Sequence, residues 1–189
     1  MEQRTHLAEI FAWEKQEDWP EAFRGYTALY GKEPSIETAI HFAFFCWYML
    51  WQWDEIQLPG EVLSPYERMK TENRCGLSRP VLFRDLDRTA EYLLADGRGT
   101  PARYLAVLVH MRKIYPYFFK EETFPESMAC HLLDQIRKRG DGEPGVQAIC
   151  RYVQDGAFAC IPSREKAAAK ELFPRGSLLS QYFVWLFSE

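Results

Sequence analysis

Apolar residues recur along most of the chain at the spacing of three and four residues that is typical of an amphipathic helix. One stripe runs through Leu82, Leu86 and Leu93, and two more follow towards the C-terminus. Arg84 and Asp85 fall on the opposite face of that helix, so we expect both side chains to face solvent. No segment alternates apolar and polar residues over a strand's length, so no β-strand is predicted. The pattern therefore predicts an all-α fold.

Capping residues, prolines and glycines mark the predicted helix boundaries. Asp18 precedes Pro20 and Glu21, a pattern that predicts a helix start in which Glu21 reaches back towards the cap. Gly31 then fits the left-handed residue that closes a helix. Pro34-Ser35 opens the next helix. The predicted helices lie near residues 5–15, 19–31, 35–53, 65–74, 79–96, 101–117, 125–139, 145–160, 163–173 and 177–187.

The predicted helices are joined mostly by short connections, so consecutive helices should be antiparallel neighbours. We therefore expect antiparallel helical hairpins in a single domain over residues 1–189, or a short α-solenoid. The longest break, residues 54–63, contains Pro59-Gly60 and marks a candidate boundary between sub-units of the fold.

The segment Trp19–Trp53 resembles a tetratricopeptide-like helical hairpin. Such hairpins carry aromatic residues in both helices and small residues where the helices touch. The matching residues are Trp19, Ala22, Phe23, Gly25, Tyr26 and Tyr30 in the first helix and Ala39, Ala43 and Phe44 in the second. In this chain Gly25 is followed directly by Tyr26, whereas the family places a Leu-Gly pair three residues before a Tyr. The resemblance implies a curved array of helix pairs that binds peptides or proteins.

Charge is distributed unevenly along a chain whose formal net charge is −4. Residues 1–61 hold 11 acids and 4 bases, whereas residues 62–140 hold 10 acids and 14 bases. Either folding pairs these two parts, or the acidic part forms a face that binds a partner. The net negative charge argues against general nucleic-acid binding. A nucleic-acid interface through the basic stretch 68–88 is the weaker alternative, because acids interrupt the stretch.

The chain is expected to be a cytoplasmic protein. Its longest apolar run, Phe42–Trp51, has ten residues, about half of what a membrane-spanning helix needs. The first residues show no basic start followed by an apolar stretch, so no signal peptide is predicted. The five cysteines are scattered, which is typical of reduced thiols and predicts no disulfide.

No motif for a catalytic site, a metal or a cofactor stands out, so we predict none of the three. Glu37 and His41 share one helix face, where they form either part of a metal or acid–base site or a simple hydrogen bond. Cys130 and His131 are adjacent, so on a helix they point about 100° apart and cannot pair with each other. The acidic pair Asp85 and Asp87 is expected on a solvated helix surface.

Two aromatic segments are the most unusual features of the sequence. Aromatic residues surround almost the whole helix predicted near 35–53, which is typical of a central buried helix. Tyr48, Trp51 and Trp53 lie towards its end, where large aromatics can form a groove wall or an interface anchor. The C-terminal helix has few polar residues, and Trp185 on it is the fourth candidate for partner binding.

These patterns favour a non-enzymatic protein-interaction module: an adaptor, a regulator, or an inhibitor or immunity-type protein. Its partner would be another protein or a second copy of the chain. The alternative is an enzyme with an unfamiliar helical site that uses His41 or His131 with carboxylates. The nucleic-acid binder through residues 68–88 is the second alternative.

Overall fold

The computed structural model describes residues 2–55, 77–95, 99–139 and 143–188, which contain nine α-helices and no β-strand. The helices are α1 Glu2–Lys15, α2 Trp19–Lys32, α3 Ile36–Glu55, α4 Arg79–Leu94, α5 Ala102–Ile114, α6 Glu126–Arg139, α7 Pro144–Asp155, α8 Ser163–Lys170 and α9 Leu178–Leu186. Short 3-10 turns follow α5 at Pro116–Phe118 and α7 at Phe158–Cys160. The all-α prediction is confirmed; the helix predicted at 65–74 lies outside the described residues.

The predicted cap of α2 is present, but one of its two hydrogen bonds is not formed as expected. The carboxylate of Asp18 accepts a hydrogen bond from the backbone N–H of Glu21 at 3.4 Å. The carboxylate of Glu21 binds Arg24 rather than reaching back to the cap. The backbone N–H of Asp18 donates to the carbonyl of Trp13 at 2.9 Å and so already has an acceptor. Glu17, between the two helices, has the left-handed φ of 57° that closes α1.

The prediction that Gly31 closes α2 is wrong. The helix continues to Lys32, and the backbone N–H of Glu33 still donates to the carbonyl of Leu29. Gly31 therefore lies inside the last turn and does not adopt a left-handed conformation. Further along, the hydroxyl of Ser35 accepts the backbone N–H of Thr38 at 3.1 Å, which caps α3 as Pro34-Ser35 predicted.

The chain forms two compact units, one made of residues 1–92 with 176–178 and one of residues 93–175 with 179–189. The candidate boundary at 54–63 lies outside the described residues from position 56 onwards.

The first unit is built on antiparallel packing of α2 against α3. Trp19 at the start of α2 packs on Phe45 and Tyr48, whereas Tyr30 near its end packs on Phe42. Tyr26 stacks almost parallel on Phe42, with ring centroids 5.4 Å apart. The centre of α3 is fully buried, as predicted, at Ile40, Phe42, Ala43, Phe44, Phe45, Cys46, Trp47, Met49 and Leu50.

Gly25 allows α1 to approach α2 closely. A Cβ atom at Gly25 would lie 2.7 Å from Cγ1 of Ile10 and 2.8 Å from the ring of Trp13. These distances are shorter than van der Waals contact, so a larger residue would force the two helices apart. The absence of a side chain at position 25 therefore fixes the packing of the α1–α2 hairpin.

The second unit also consists of antiparallel hairpins. At the α5–α6 junction Lys113 near the end of α5 contacts Glu126 at the start of α6. In the α7–α8 pair, a Cβ at Gly145 would meet the backbone of Ala168 at 2.9 Å, and Arg151 forms an ion pair with Glu165 at 3.1 Å. Early residues of α7 thus meet late residues of α8.

The helix predicted over 145–160 is shorter than expected. It ends at Asp155, where Gly156 adopts φ 62° and its backbone N–H donates to the carbonyl of Tyr152 at 2.9 Å. A left-handed Gly after the last turn is a common helix end, because glycine carries no Cβ that would clash. The remaining residues form the 3-10 turn Phe158–Cys160.

Candidate functional site

The four residues predicted to bind a partner fall in different parts of the molecule. Tyr48 and Trp51 belong to the first unit and Trp185 to the second. The side chain of Trp53 lies outside the described part of the structure. The two aromatic segments therefore belong to different units.

In the first unit, Tyr48 and Trp51 are half-buried at the end of α3, beyond the fully buried Trp47. Their rings meet edge to face at 5.6 Å, and Tyr48 also lies 6.2 Å from the ring of Trp19. The indole N–H of Trp19 is buried and has no acceptor among the described residues. A buried donor without an acceptor costs about 1–3 kcal/mol of stability. This unsatisfied N–H belongs to a ring that packs on Tyr48 of the half-buried pair.

In the second unit, α9 has a buried face and an exposed face that carries two large apolar side chains. Leu179, Phe183 and Leu186 are in the core, with exposed fractions of 5 % or less. Val184 and Trp185 are 42 % and 53 % exposed, on the same face as the exposed Gln181 and Ser188. Ser180, one of only two polar residues in the middle of this helix, is buried. The exposed face therefore combines two apolar side chains, Val184 and Trp185, with two polar ones.

The ring of Trp185 packs on the ring of Tyr182. Its ring centroid lies 5.8 Å from that of Tyr182, whose hydroxyl is 2.8 Å from Nε2 of the buried His110. Tyr182 also packs edge to face on Phe183. The ring on which Trp185 packs is thus held by a buried hydrogen bond.

His41, a candidate for acid–base chemistry, is buried, and so is His110. His41 is buried against Phe11, with ring centroids 4.7 Å apart, and its Nε2 has no partner within the described part of the chain. No hydrogen bond joins His41 to Glu37 among the described residues, so the predicted pairing is not formed. Burial lowers the pKa of His41 and of His110 to about 3, because the charged imidazolium is poorly solvated in the core. Both are therefore neutral at physiological pH.

Cys130 and His131 are exposed and have separate partners. Lys113 donates to the thiol of Cys130 at 3.5 Å, whereas His131 is 2.8 Å from the side-chain amide of Gln135. As expected from their positions on a helix, they do not pair with each other. Among the described residues no group of three or more His, Cys, Asp or Glu side chains could hold a metal ion.

The prediction that Asp85 and Asp87 lie on a solvated surface is wrong. Asp85 is 1 % exposed and Asp87 is 4 % exposed. Asp85 is covered by Arg84, whose guanidinium donates two hydrogen bonds to the carboxylate at 3.1 and 3.2 Å. Arg84 itself remains largely exposed. An acid one position from a buried stripe can be buried if its neighbour supplies the counter-charge, and the helical period alone does not show this.

Sequence reasoning missed Glu14, a buried carboxylic acid of the first unit. It is 2 % exposed, and burial raises its pKa to about 7 despite hydrogen bonds from Leu178 and Tyr26. A signal was present, since Leu7, Ile10 and Glu14 follow the three- and four-residue spacing of one helix face. Leu7 and Ile10 are buried on that face as well.

Three comparisons with known proteins gave no match: no protein-family model, no curated protein and no solved structure corresponds to this chain. Within the described ranges, no helix is both long enough and apolar enough to cross a membrane.

Proposed function

We propose that the chain is a non-enzymatic, cytoplasmic protein-interaction module that docks a partner protein on the exposed face of α9. The observation that carries this proposal is the exposure of Val184 and Trp185, 42 % and 53 %, on a helix whose opposite face lies in the core. Adjacent large apolar side chains at a surface favour an interface, because tryptophan is prominent among the residues that dominate binding energy.

The partner is either a second copy of the chain or a different protein. The tetratricopeptide-like resemblance of residues 19–53, which implies binding of peptides or proteins, remains a proposal. The antiparallel packing of α2 on α3 supports it. The 11 acids and 4 bases of residues 1–61 suit a module that binds or inhibits a basic protein. Tyr48 and Trp51, half-buried, are the second candidate face.

Two features of the described residues support this function over the enzyme alternative. His41 lies in the core with its pKa lowered to about 3, so it is poorly suited to exchange protons at neutral pH. His131 is hydrogen-bonded to an amide and not to a carboxylate in the described part of the chain. The enzyme alternative requires one of these two histidines to lie close to an accessible carboxylate.

The nucleic-acid alternative has less support from the described end of the basic stretch. The guanidinium of Arg88 lies 4.7 Å from the ring centroid of Tyr30, and that of Arg84 binds Asp85. Both arginines thus have intramolecular partners, whereas nucleic-acid binding needs cations that contact the phosphates and displace the counterions condensed on them. Protein binding therefore remains the leading proposal.

The proposal is tested by separating binding from stability at two neighbouring positions of α9. Trp185→Ala should weaken partner association while changing thermal stability little, because half of the side chain is already exposed. Phe183→Ala is the matched control and should cost about 3–5 kcal/mol of stability, because Phe183 is fully buried. Sedimentation at several concentrations detects a homodimer. A Trp185→Ala variant as unstable as Phe183→Ala, with association unchanged, would contradict the proposal.

A further inference from the structure

The carboxylate of Glu14 binds a residue that lies 164 positions further along the chain. One oxygen accepts the hydroxyl of Tyr26 at 2.8 Å, and the other accepts the backbone N–H of Leu178 at 2.8 Å. Leu178 is the first residue of α9, so its N–H is one of those that lack a partner within the helix. Glu14 on α1 therefore accepts the N–H of Leu178 and holds the segment 176–178 in the first unit.

When Glu14 is ionised, its negative charge lies in the protein interior, where water cannot solvate it. Glu14 is 2 % exposed, and no Lys, Arg or His forms an ion pair with it among the described residues. Two neutral donors do not replace the hydration that an ionised carboxylate loses on burial. The neutral carboxyl avoids that cost and still offers an oxygen to the N–H of Leu178.

We propose that Glu14 is a proton-sensitive anchor, which holds the segment 176–178 firmly when the carboxyl is neutral and releases it more often when the carboxyl is ionised. The closed state takes up a proton because burial raises the pKa of Glu14 to about 7. In an opened state water reaches the carboxyl, and its pKa returns to the ordinary value near 4.5. Between pH 4.5 and about 7, loss of the proton from Glu14 therefore favours the opened state.

Tyr26 and Cys46 do not ionise in the pH range in which Glu14 does. Burial raises the pKa of Tyr26 on α2 and of Cys46 on α3 well above their usual values, so both remain neutral. Cys46 in turn faces Arg84, Asp85 and Arg88 on α4. Hydrogen bonding to Asp85 raises the pKa of Arg84, which remains charged. From the segment 176–178 the backbone N–H of Leu178 donates to the carboxylate.

The expected size of the effect follows from the two pKa values of Glu14. The opening equilibrium should rise about tenfold for each pH unit between 4.5 and 7 and then level off. The full change is roughly 300-fold, which corresponds to the 2.5-unit difference between 4.5 and about 7.

The test is amide hydrogen exchange at Leu178 from pH 5 to pH 8, with each rate divided by the intrinsic exchange rate at that pH. In the wild-type protein, protection at Leu178 should fall about tenfold per pH unit up to pH 7 and then become constant. Glu14→Gln keeps an oxygen for Leu178 but cannot ionise, so its protection should not change over this range. Glu9→Gln, which removes an exposed carboxylate from the same helix, should behave as the wild type.

Three results would overturn the proposal: constant protection at Leu178 in the wild type, the same slope in Glu14→Gln, or an equal fall at the core amide of Ala43, which would indicate global unfolding. If Glu14→Gln does not fold, the carboxyl carbon resonance of Glu14 in the wild-type protein decides. A titration midpoint near 7 supports the anchor, and a midpoint near 4.5 contradicts it.

Discussion

The hydroxyl of Tyr182 lies 2.8 Å from Nε2 of His110, and both side chains are buried in the second unit. This hydrogen bond links α9 to α5 and fixes the ring on which Trp185 rests. Burial lowers the pKa of His110 to about 3, so the folded state holds a neutral imidazole under conditions where the unfolded chain takes up a proton.

This burial predicts that the second unit is sensitive to acid. Below pH 6.5 the unfolded state binds more protons at His110 than the folded state, so stability is lost as the pH falls from 6.5 towards 3. The loss is about 1.4 kcal/mol per pH unit. In the first unit His41 acts in the same direction, but Glu14 takes up a proton on folding between pH 4.5 and 7 and opposes it.

Hydrogen exchange of core amides in both units measures this difference. On acidification from pH 6.5 to 4.5, the amide of Leu108 on α5 should lose protection about tenfold per pH unit, whereas that of Ala43 on α3 should change little. His110→Gln, which can still bind Tyr182 but cannot be protonated, should abolish the loss. His131→Gln, at an exposed histidine, should not. An equal loss at Leu108 and Ala43 would show that this account of the buried histidines is wrong.

Two glycines of α2 provide a matched pair of substitutions that should change the free energy of unfolding in opposite directions. A Cβ at Gly31 would meet no atom within 4 Å, so Gly31→Ala should stabilise the protein by up to about 1 kcal/mol through higher helix propensity. A Cβ at Gly25 would collide with Ile10 and Trp13, so Gly25→Ala should cost about 1–3 kcal/mol. Urea unfolding of both variants provides the measurement. Effects of the same sign would contradict the described packing of α1 on α2.

Arg112 should be essential for the segment that follows α5. Its side chain is 2 % exposed and donates to the carbonyls of Phe124 and Pro116 and to the carboxylate of Glu121. Arg112→Lys keeps the charge but loses the fork of donors, so it should cost about 2 kcal/mol or more and expose residues 115–125 to proteases. Arg164→Lys, on the surface of α8, should stay within about 0.5 kcal/mol of wild type. Equal stability and equal proteolysis of the two variants would refute this role.

The helices could be predicted from the sequence because their signals are local. Asp18 and Ser35 cap α2 and α3 as predicted, and the apolar stripe from Leu82 to Leu93 is buried. Gly156 was missed as a helix end, although its position after an apolar turn is a local signal. The positions and ends of the helices thus depend on the spacing of apolar residues and on capping residues, both of which are visible in the sequence.

The buried charges could not be predicted in the same way, because their partners are distant or are supplied by tertiary packing. The acceptor role of Glu14 depends on Leu178, at the other end of the chain. Asp85 is buried only because helix packing excludes water from one side while Arg84 covers another. The exposure of Trp185 likewise depends on which face of α9 meets the core, and an almost wholly apolar helix does not reveal that face.

Site-specific photo-crosslinking tests the proposed docking face of α9 most directly. A photoreactive amino acid is placed at position 181, on the same face of α9 as Trp185, and in a separate control at the exposed position 164 of α8, in cells that naturally produce the protein. Position 181 should give a defined adduct, either with a second copy of the chain or with one partner protein, and Val184→Lys should abolish it. Adducts from position 181 that are no more specific than those from position 164, or that persist in Val184→Lys, would contradict the proposed function.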